Sequence, residues 1–252
     1  MKQKKKIRLD LLMTEKGMTP NRTKAQALIM SGVIKVNGVE TTKSGTLISP
    51  DSAIEIIKPA HPYVSRGGLK LEEALKEMDI DVTGFICIDA GASTGGFTDC
   101  LLQKGAVKVY AVDVGYGQIH QKLRNDPRVK VAEKCNVRYL TPAQVPEKVN
   151  LITADLSFIS LEKVLGKLME FLLPNGIIIA LIKPQFEAPR KQSRKGVIKD
   201  DYAREKAVEK IINYAESIGL SLIKVVKSPI KGPKGNQEFP TGFKMKLQPD
   251  NP

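Results

Sequence analysis

The sequence is poor in the residues that build metal centres: its 252 residues include three cysteines and two histidines. Cys87, Cys100 and Cys135 fall in no zinc-binding spacing, and His61 and His120 are far from both one another and the cysteines in sequence. The cysteines read as buried, reduced thiols of a cytosolic protein, and no metal site is expected. Long apolar runs are also missing. The longest, Phe171 to Ile182, is interrupted by Pro174, Asn175 and Gly176, whereas a spanning helix needs roughly 20 apolar residues. The basic stretch Met1 to Lys6 is followed by no apolar run, so the sequence predicts no secretory signal and a cytoplasmic location.

Apolar residues make up 42% of the chain, enough for a packed core, and charged residues 27%. Lys and Arg exceed Asp and Glu by 13, with a pI near 9.5. Such a balance favours nucleic acid or an anionic membrane as partner. Two prolines in Lys58-Pro59-Ala60-His61-Pro62 mark a short stiff linker. The reading is a domain over 1–58, a linker over 59–65 and a larger domain over 66–252. Before the break, eleven Lys or Arg face five Asp or Glu, so positive charge is denser at the front.

The front segment predicts two helices and then short strands. Leu9, Leu12 and Met13 share one helical face up to Gly17. A second helix starts near Pro20 and carries Ala25, Ala27, Leu28 and Ile29. Val33 to Val36 alternates as a strand and leads into the hairpin turn Asn37-Gly38. Ile54 to Ile57 gives a further alternating run. Arg8, Arg22, Lys24 and Lys35 are expected on the surface. The strings Arg8-Leu9-Asp10, Asn21-Arg22-Thr23-Lys24-Ala25 and Gly32-Val33-Ile34-Lys35-Val36-Asn37-Gly38 resemble the RNA-binding domain named after ribosomal small-subunit protein four. The resemblance implies a small α+β module that sits on folded RNA through shape and phosphate contacts.

From Phe85 onward, apolar strands alternate with helices: strands at 85–89, 107–112, 129–132, 149–154 and 177–182, and helices at 97–104, 161–172 and 202–217. This predicts an α/β domain with a mostly parallel sheet covered on both faces. In such sheets ligands bind beyond the carboxyl ends of the strands, and those ends carry Asp89, Asp113, Asp155 and Lys183. The loop after the first strand, Gly91-Ala92-Ser93-Thr94-Gly95-Gly96, has Ser93 where the dinucleotide fingerprint requires its second glycine. A looser loop suits a ligand without a pyrophosphate. Asp113 is spaced to accept hydrogen bonds from ribose hydroxyls.

Four strings together resemble the TlyA family, whose members often carry the label hemolysin A: Val64-Ser65-Arg66-Gly67-Gly68-Leu69-Lys70-Leu71, Asp89 to Phe97, Asp155-Leu156-Ser157-Phe158-Ile159-Ser160, and Lys183-Pro184-Gln185-Phe186-Glu187. The catalytic half is similar to the FtsJ-type ribose methyltransferases. The resemblance implies a Rossmann-like class I methyltransferase fold, S-adenosylmethionine as cofactor, and 2′-O-methylation of cytidine in ribosomal RNA within ribosomal subunits. It implies a catalytic tetrad of Lys70, Asp155, Lys183 and Glu238. It also implies cofactor contacts from Asp89, from Gly91, Ala92, Ser93, Thr94, Gly95, Gly96 and Phe97, and from Asp113, Cys135 and Asn136. Pattern alone places Lys70 on the exposed side of a helix from Gly67 to Met78. Family members run from the Glu-Phe pair directly into a last apolar strand. Here Pro240-Thr241-Gly242 follows Phe239, so that strand is expected to be short or to begin only at Phe243.

Arg66, together with Arg190, Lys191, Arg194 and Lys195 in a basic loop and Lys231 and Lys234 in a second, is positioned to grip RNA phosphates. Three rivals compete with this reading. A membrane-damaging protein lacks a spanning segment or a long basic amphipathic helix in this sequence. A nicotinamide-dependent oxidoreductase lacks its fingerprint at Ser93. A non-catalytic RNA-binding or ribosome-assembly factor would tolerate loss of the four tetrad charges.

Overall fold

The computed structural model describes residues 6–57, 61–189 and 196–246. The basic residues Arg190, Lys191, Arg194 and Lys195 and the first two linker positions, Pro59 and Ala60, lie outside the described residues.

The front unit runs β1 (Ile7–Arg8), α1 (Leu9–Glu15), α2 (Arg22–Met30), β2 (Ile34–Val36), β3 (Val39–Glu40), β4 (Leu47–Ile48) and β5 (Ile54–Ile56). Asn21 caps α2 by accepting the Lys24 N–H at 2.9 Å. Asn37 (φ 49°) and Gly38 (φ 79°) form the hairpin turn, where positive φ at both positions suits the strand twist. Leu9, Met13, Ala25, Ile29 and Ile34 fill the core. Beside that core lies a fully buried carboxylate, Asp10. Arg8 binds it through two nitrogens, at 2.9 and 2.8 Å, and Arg22 Nε and Gln26 Nε2 each at 2.9 Å. Burial opposes the Asp10 charge, but these donors outweigh it and hold the carboxyl well below the usual carboxylate range. Arg8 and Arg22, expected as free surface cations, are therefore spent in part on the domain's own buried charge. Lys35 stands in register with Glu40 on β3 and Glu55 on β5, so two carboxylates flank it on one sheet face.

The large unit continues with α3 (Gly67–Glu77), β6 (Ile86–Ala90), α4 (Gly96–Gln103), β7 (Lys108–Val112), α5 (Gln121–Arg124), β8 (Val129–Ala132), β9 (Val149–Ala154), α6 (Leu165–Met169), β10 (Leu172–Ile182), α7 (Pro184–Glu187), α8 (Asp201–Ser217), β11 (Leu220–Val225) and β12 (Phe239–Met245). The sheet order is β11-β12-β10-β9-β6-β7-β8. The strands from β10 to β8 are parallel, and β12 runs antiparallel to both β10 and β11. The chain winds outward from β6 to β8, then returns to β9 on the other side of β6. The carboxyl ends of β6 and β9 thus flank the point where the winding reverses, which is where open α/β sheets bind ligands.

Two expectations are corrected. The helix expected over 161–172 is a single turn at Leu161–Lys163 followed by the short α6, and Leu172 already belongs to β10. The Pro174-Asn175-Gly176 break that pattern placed between helix and strand is instead an irregularity inside β10, where the register with β9 shifts. The last strand is full length in spite of Pro240. Pro240 pairs with Leu181 on β10, and its carbonyl accepts the Val226 N–H at 2.8 Å. A strand residue's N–H and C=O point the same way, so the missing donor faces the end of β11, where that strand has already finished. The ladder to β10 loses nothing. Among the described residues, no helix is long and apolar enough to cross a membrane.

Candidate active site

A cavity of about 390 Å³ opens at the carboxyl ends of β6 and β9, within the size range of small-molecule sites. Its floor is the glycine-rich loop. Gly91 has φ +87°, and a Cβ there would lie 2.6 Å from the Asp155 carbonyl oxygen, so only glycine lets the ends of the two strands close up. Ser93 adopts the left-handed region at φ 49°, and its N–H donates to Asp113 Oδ2 at 2.8 Å. A Cβ on Gly96, at the start of α4, would meet Ser65 Oγ at 2.3 Å, so this glycine lets the loop before α3 pack against the head of α4.

Of the residues expected around a cofactor, Gly91, Ala92, Ser93, Thr94, Gly96 and Phe97 line this cavity. The other five are not among its lining residues. Gly95 turns the chain at φ +93°, against Leu123. Asp89 is fully buried inside β6; it accepts the Thr98 N–H at 2.9 Å, the Thr98 hydroxyl at 2.6 Å and the Thr153 hydroxyl at 3.1 Å. Burial overrides these three donors and pushes its carboxyl up to about 7. Asp89 therefore ties α4 to the sheet and does not face a ligand. Asp113 holds two loops together, binding the Ser93 and Gly115 N–H groups. Cys135 donates its N–H to the Asp113 carbonyl, and the Asn136 side chain caps the turn after β8 by accepting the Arg138 N–H.

The four expected tetrad residues meet in two ion pairs on the cavity wall. Lys70 Nζ lies 2.6 Å from Glu238 Oε2, and Lys183 Nζ lies 2.5 Å from Asp155 Oδ1. Lys70 is only 8% exposed, which corrects its expected place on the open face of α3. Burial opposes its charge, but the Asp155 and Glu238 carboxylates outweigh that and raise its pKa above the ordinary lysine value. Burial also works against ionisation of Asp155, and Lys183 and Lys70 overcome it, holding that carboxyl below its usual range.

Several wall residues escaped the sequence reading. The Ser157 hydroxyl accepts from Lys183 Nζ at 3.0 Å. Phe158, 89% exposed and in the left-handed region at φ 64°, sets its ring 5.1 Å from that of Phe186. The strings over 155–160 and 183–187 contain them, but no pattern separates them from packing residues. Met30 and Thr42 of the front unit also line the cavity, and Arg66 bridges to Glu40 at 3.4 Å. No local signal encodes such contacts. Lys231 and Lys234 line the rim, as expected of the second basic loop.

Residues 63–245 match the family described as FtsJ-like methyltransferase, and residues 7–54 match the S4 domain. The chain is 41% identical over 237 residues to the 16S/23S rRNA (cytidine-2′-O)-methyltransferase TlyA of Mycobacterium tuberculosis, covering 93% of this chain and 88% of the relative. It is 43% identical to Hemolysin A of Brachyspira hyodysenteriae, covering 94% and 99%. A solved structure from Streptococcus thermophilus, provisionally named a hemolysin, aligns with a TM-score of 0.76 at 40% identity, covering 97% of this chain and 90% of that one. With its glycine-rich loop and paired lysines at the winding reversal of a seven-stranded sheet, the chain belongs to the FtsJ-like methyltransferase family, as a TlyA-type member that carries an S4 domain in front.

Proposed function

We propose that the protein transfers a methyl group from S-adenosylmethionine to the 2′-hydroxyl of a cytidine in ribosomal RNA. The observation that carries this reading is the pair of lysine–carboxylate contacts facing one cavity beside the glycine-rich loop. The names of the relatives support the RNA and the position of the methyl group. Such a substrate places the activity in the cytoplasm.

The cavity residues fit the cofactor. Between Gly91 and Gly96 the side chains are no larger than a threonine's, leaving room for a ligand against the backbone, and Ser93 stands where the dinucleotide fingerprint has its second glycine. Gly91 to Thr94, Gly96 and Phe97 would hold it directly. Asp113, which braces the loop through the Ser93 N–H, and the partly exposed Cys135 and Asn136 after β8 would complete the cofactor contacts. When bound, S-adenosylmethionine supplies a methyl on a positively charged sulfur, which leaves by in-line displacement.

The protein's part is alignment and proton handling. A ribose hydroxyl is a very weak acid, and positioning alone can supply much of the rate. An ammonium has three donors. Asp155 and Ser157 take two from Lys183, leaving one to meet the target oxygen on the cavity side. As an ammonium, Lys183 stabilises that oxygen as it becomes negative while the hydroxyl proton passes to solvent; only its neutral amine form, with a free lone pair, can take that proton itself. Lys70 stays charged between Asp155 and Glu238, and its positive field favours the same oxyanion. Asp155 and Glu238 fix the two ammonium groups. Arg66, Lys231 and Lys234 at the rim are placed for the RNA backbone. Lys183→Ala should abolish methyl incorporation into ribosomal RNA while leaving cofactor affinity, read by calorimetry, within about threefold. Normal incorporation by that variant would remove Lys183 from the mechanism.

A further inference from the structure

Glu187 ends α7, the turn that follows Lys183; it closes one of the strings that carry the family resemblance, but the proposed mechanism gives it no role. Its side chain is buried, with 6% of the residue exposed. Oε2 accepts the Ser160 hydroxyl at 2.6 Å, and Oε1 accepts the Leu161 N–H at 2.9 Å. Among the described residues no cation pairs with this carboxylate. The nearby Lys210 is paired with Glu162 at 2.5 Å and reaches only the main-chain oxygen of Glu187, at 3.5 Å. Among the described residues its hydrogen-bond donors are neutral and the Lys210 charge acts on it only from a distance, an expensive way to stabilise a fold. Burial accordingly raises its pKa against the Ser160 and Leu161 donors. What the contact does accomplish is positional.

Ser160 and Leu161 stand at the far end of the segment that begins with Asp155. At the near end, the Asp155 N–H donates to the Ala90 carbonyl at 3.0 Å, and the Ser157 hydroxyl accepts from Lys183. Between these anchors sits Phe158 at φ 64°, a conformation that a bulky side chain keeps only where its surroundings enforce it. One carboxylate therefore fastens the segment carrying Asp155, Ser157 and Phe158 to the turn carrying Lys183 and Phe186. We propose that Glu187 is a positioning residue for methyl transfer: it clips residues 155–161 against residues 183–187, so that Asp155 and Ser157 hold the Lys183 ammonium toward the cavity and Phe158 keeps its exposed pose. The inference rests on the methyl-transfer reading for its kinetic part.

The test uses full-length protein. Glu187→Gln keeps an acceptor for the Leu161 N–H and a polar partner for Ser160, so it should stay within about twofold of the parent kcat. Glu187→Ala removes both contacts and should lower kcat roughly 10- to 100-fold, the scale of a small misplacement of reacting groups. Its KM for S-adenosylmethionine should change less than about threefold, because the glycine-rich loop does not touch Glu187. Ser160→Ala removes one contact, is milder on folding, and should lower kcat about threefold on the same scale.

The chain has no tryptophan, so Phe158→Trp gives a single fluorescent reporter. Its anisotropy should fall when Glu187→Ala is added and hold when Glu187→Gln is added. Parent-like kcat and anisotropy in a folded Glu187→Ala protein would overturn the inference, as would a Glu187→Gln protein as impaired as Glu187→Ala. If Glu187→Ala does not fold, an unchanged Ser160→Ala protein overturns it instead. Anisotropy that responds as expected in a protein that methylates no ribosomal RNA would leave the clip standing and remove the assigned reaction.

Discussion

Lys70 and Glu238 are 168 positions apart in sequence and 2.6 Å apart in the fold. Removing two charges from water costs several kcal/mol per ion, and apolar residues of equal volume often stabilise as well or better. The pair is thus a poor device for stability and a good one for holding an ammonium beside Asp155 in a fixed place. Asp89 illustrates the opposite use of a buried carboxylate, as a strut without a cation. Its carboxyl lies at about 7 in the fold against an ordinary value of 3.8. Between those two values the folded chain keeps a proton that the unfolded chain has released, so the contribution of Asp89 to stability falls as pH rises from about 4 to 7. Asp89→Asn still offers an acceptor to Thr98 and carries no charge. The pH dependence of its thermal midpoint, measured against the parent over that range, should be flatter. Parallel curves would place the titration elsewhere.

Among the elements, the segments after β10 and before β12 depend on one side chain that belongs to neither strand. Asn236 is buried, and its amide donates to the Gly196 carbonyl at 2.8 Å and accepts the Ile198 N–H at 3.0 Å. It joins residues 196–198 to the loop leading into Glu238. Asn236→Ala would leave both backbone groups unpaired, at about 1–3 kcal/mol each. Amide exchange at Ile198 should accelerate strongly, while exchange in β6 and β9, which Asn236 does not touch, stays at the parent rate. Unchanged protection at Ile198 would mean that water or a shifted chain replaces the amide. Pro240 makes a related point about edges. It is tolerated in a strand paired on both sides because its missing donor faces the spent end of β11.

For the whole molecule, the net charge of +13 and the shared cavity point the same way. The front unit contributes Met30 and Thr42 to the wall of a cavity whose chemistry lies in the large unit, and Arg66 ties the two units across Glu40. An RNA seated there would meet both units at once, and the arginines and lysines at the rim would displace counterions from its phosphates. Binding to ribosomal subunits should therefore weaken by roughly 10³-fold between 50 and 200 mM salt if six or more phosphates are contacted. Salt-independent affinity would argue for a surface other than this one.

The sequence by itself determined the two units and the parallel sheet, because apolar runs and turn residues are local, whereas the charged quartet was implied by the resemblance of short motifs to a known family. Strand ends such as Asp155 and Lys183 can be placed on one edge from alternation alone. Burial and partnership were decided by the tertiary structure. Lys70 reads as exposed on α3 until β12 brings Glu238 over it. Asp89 reads as a ligand contact until Thr98 and Thr153 are seen to consume its oxygens. Arg8 and Arg22 read as free cations until Asp10 is found beneath them. In each case the side chain's environment comes from segments distant in sequence, and the free energy of a charge depends on that environment more than on the residue that bears it.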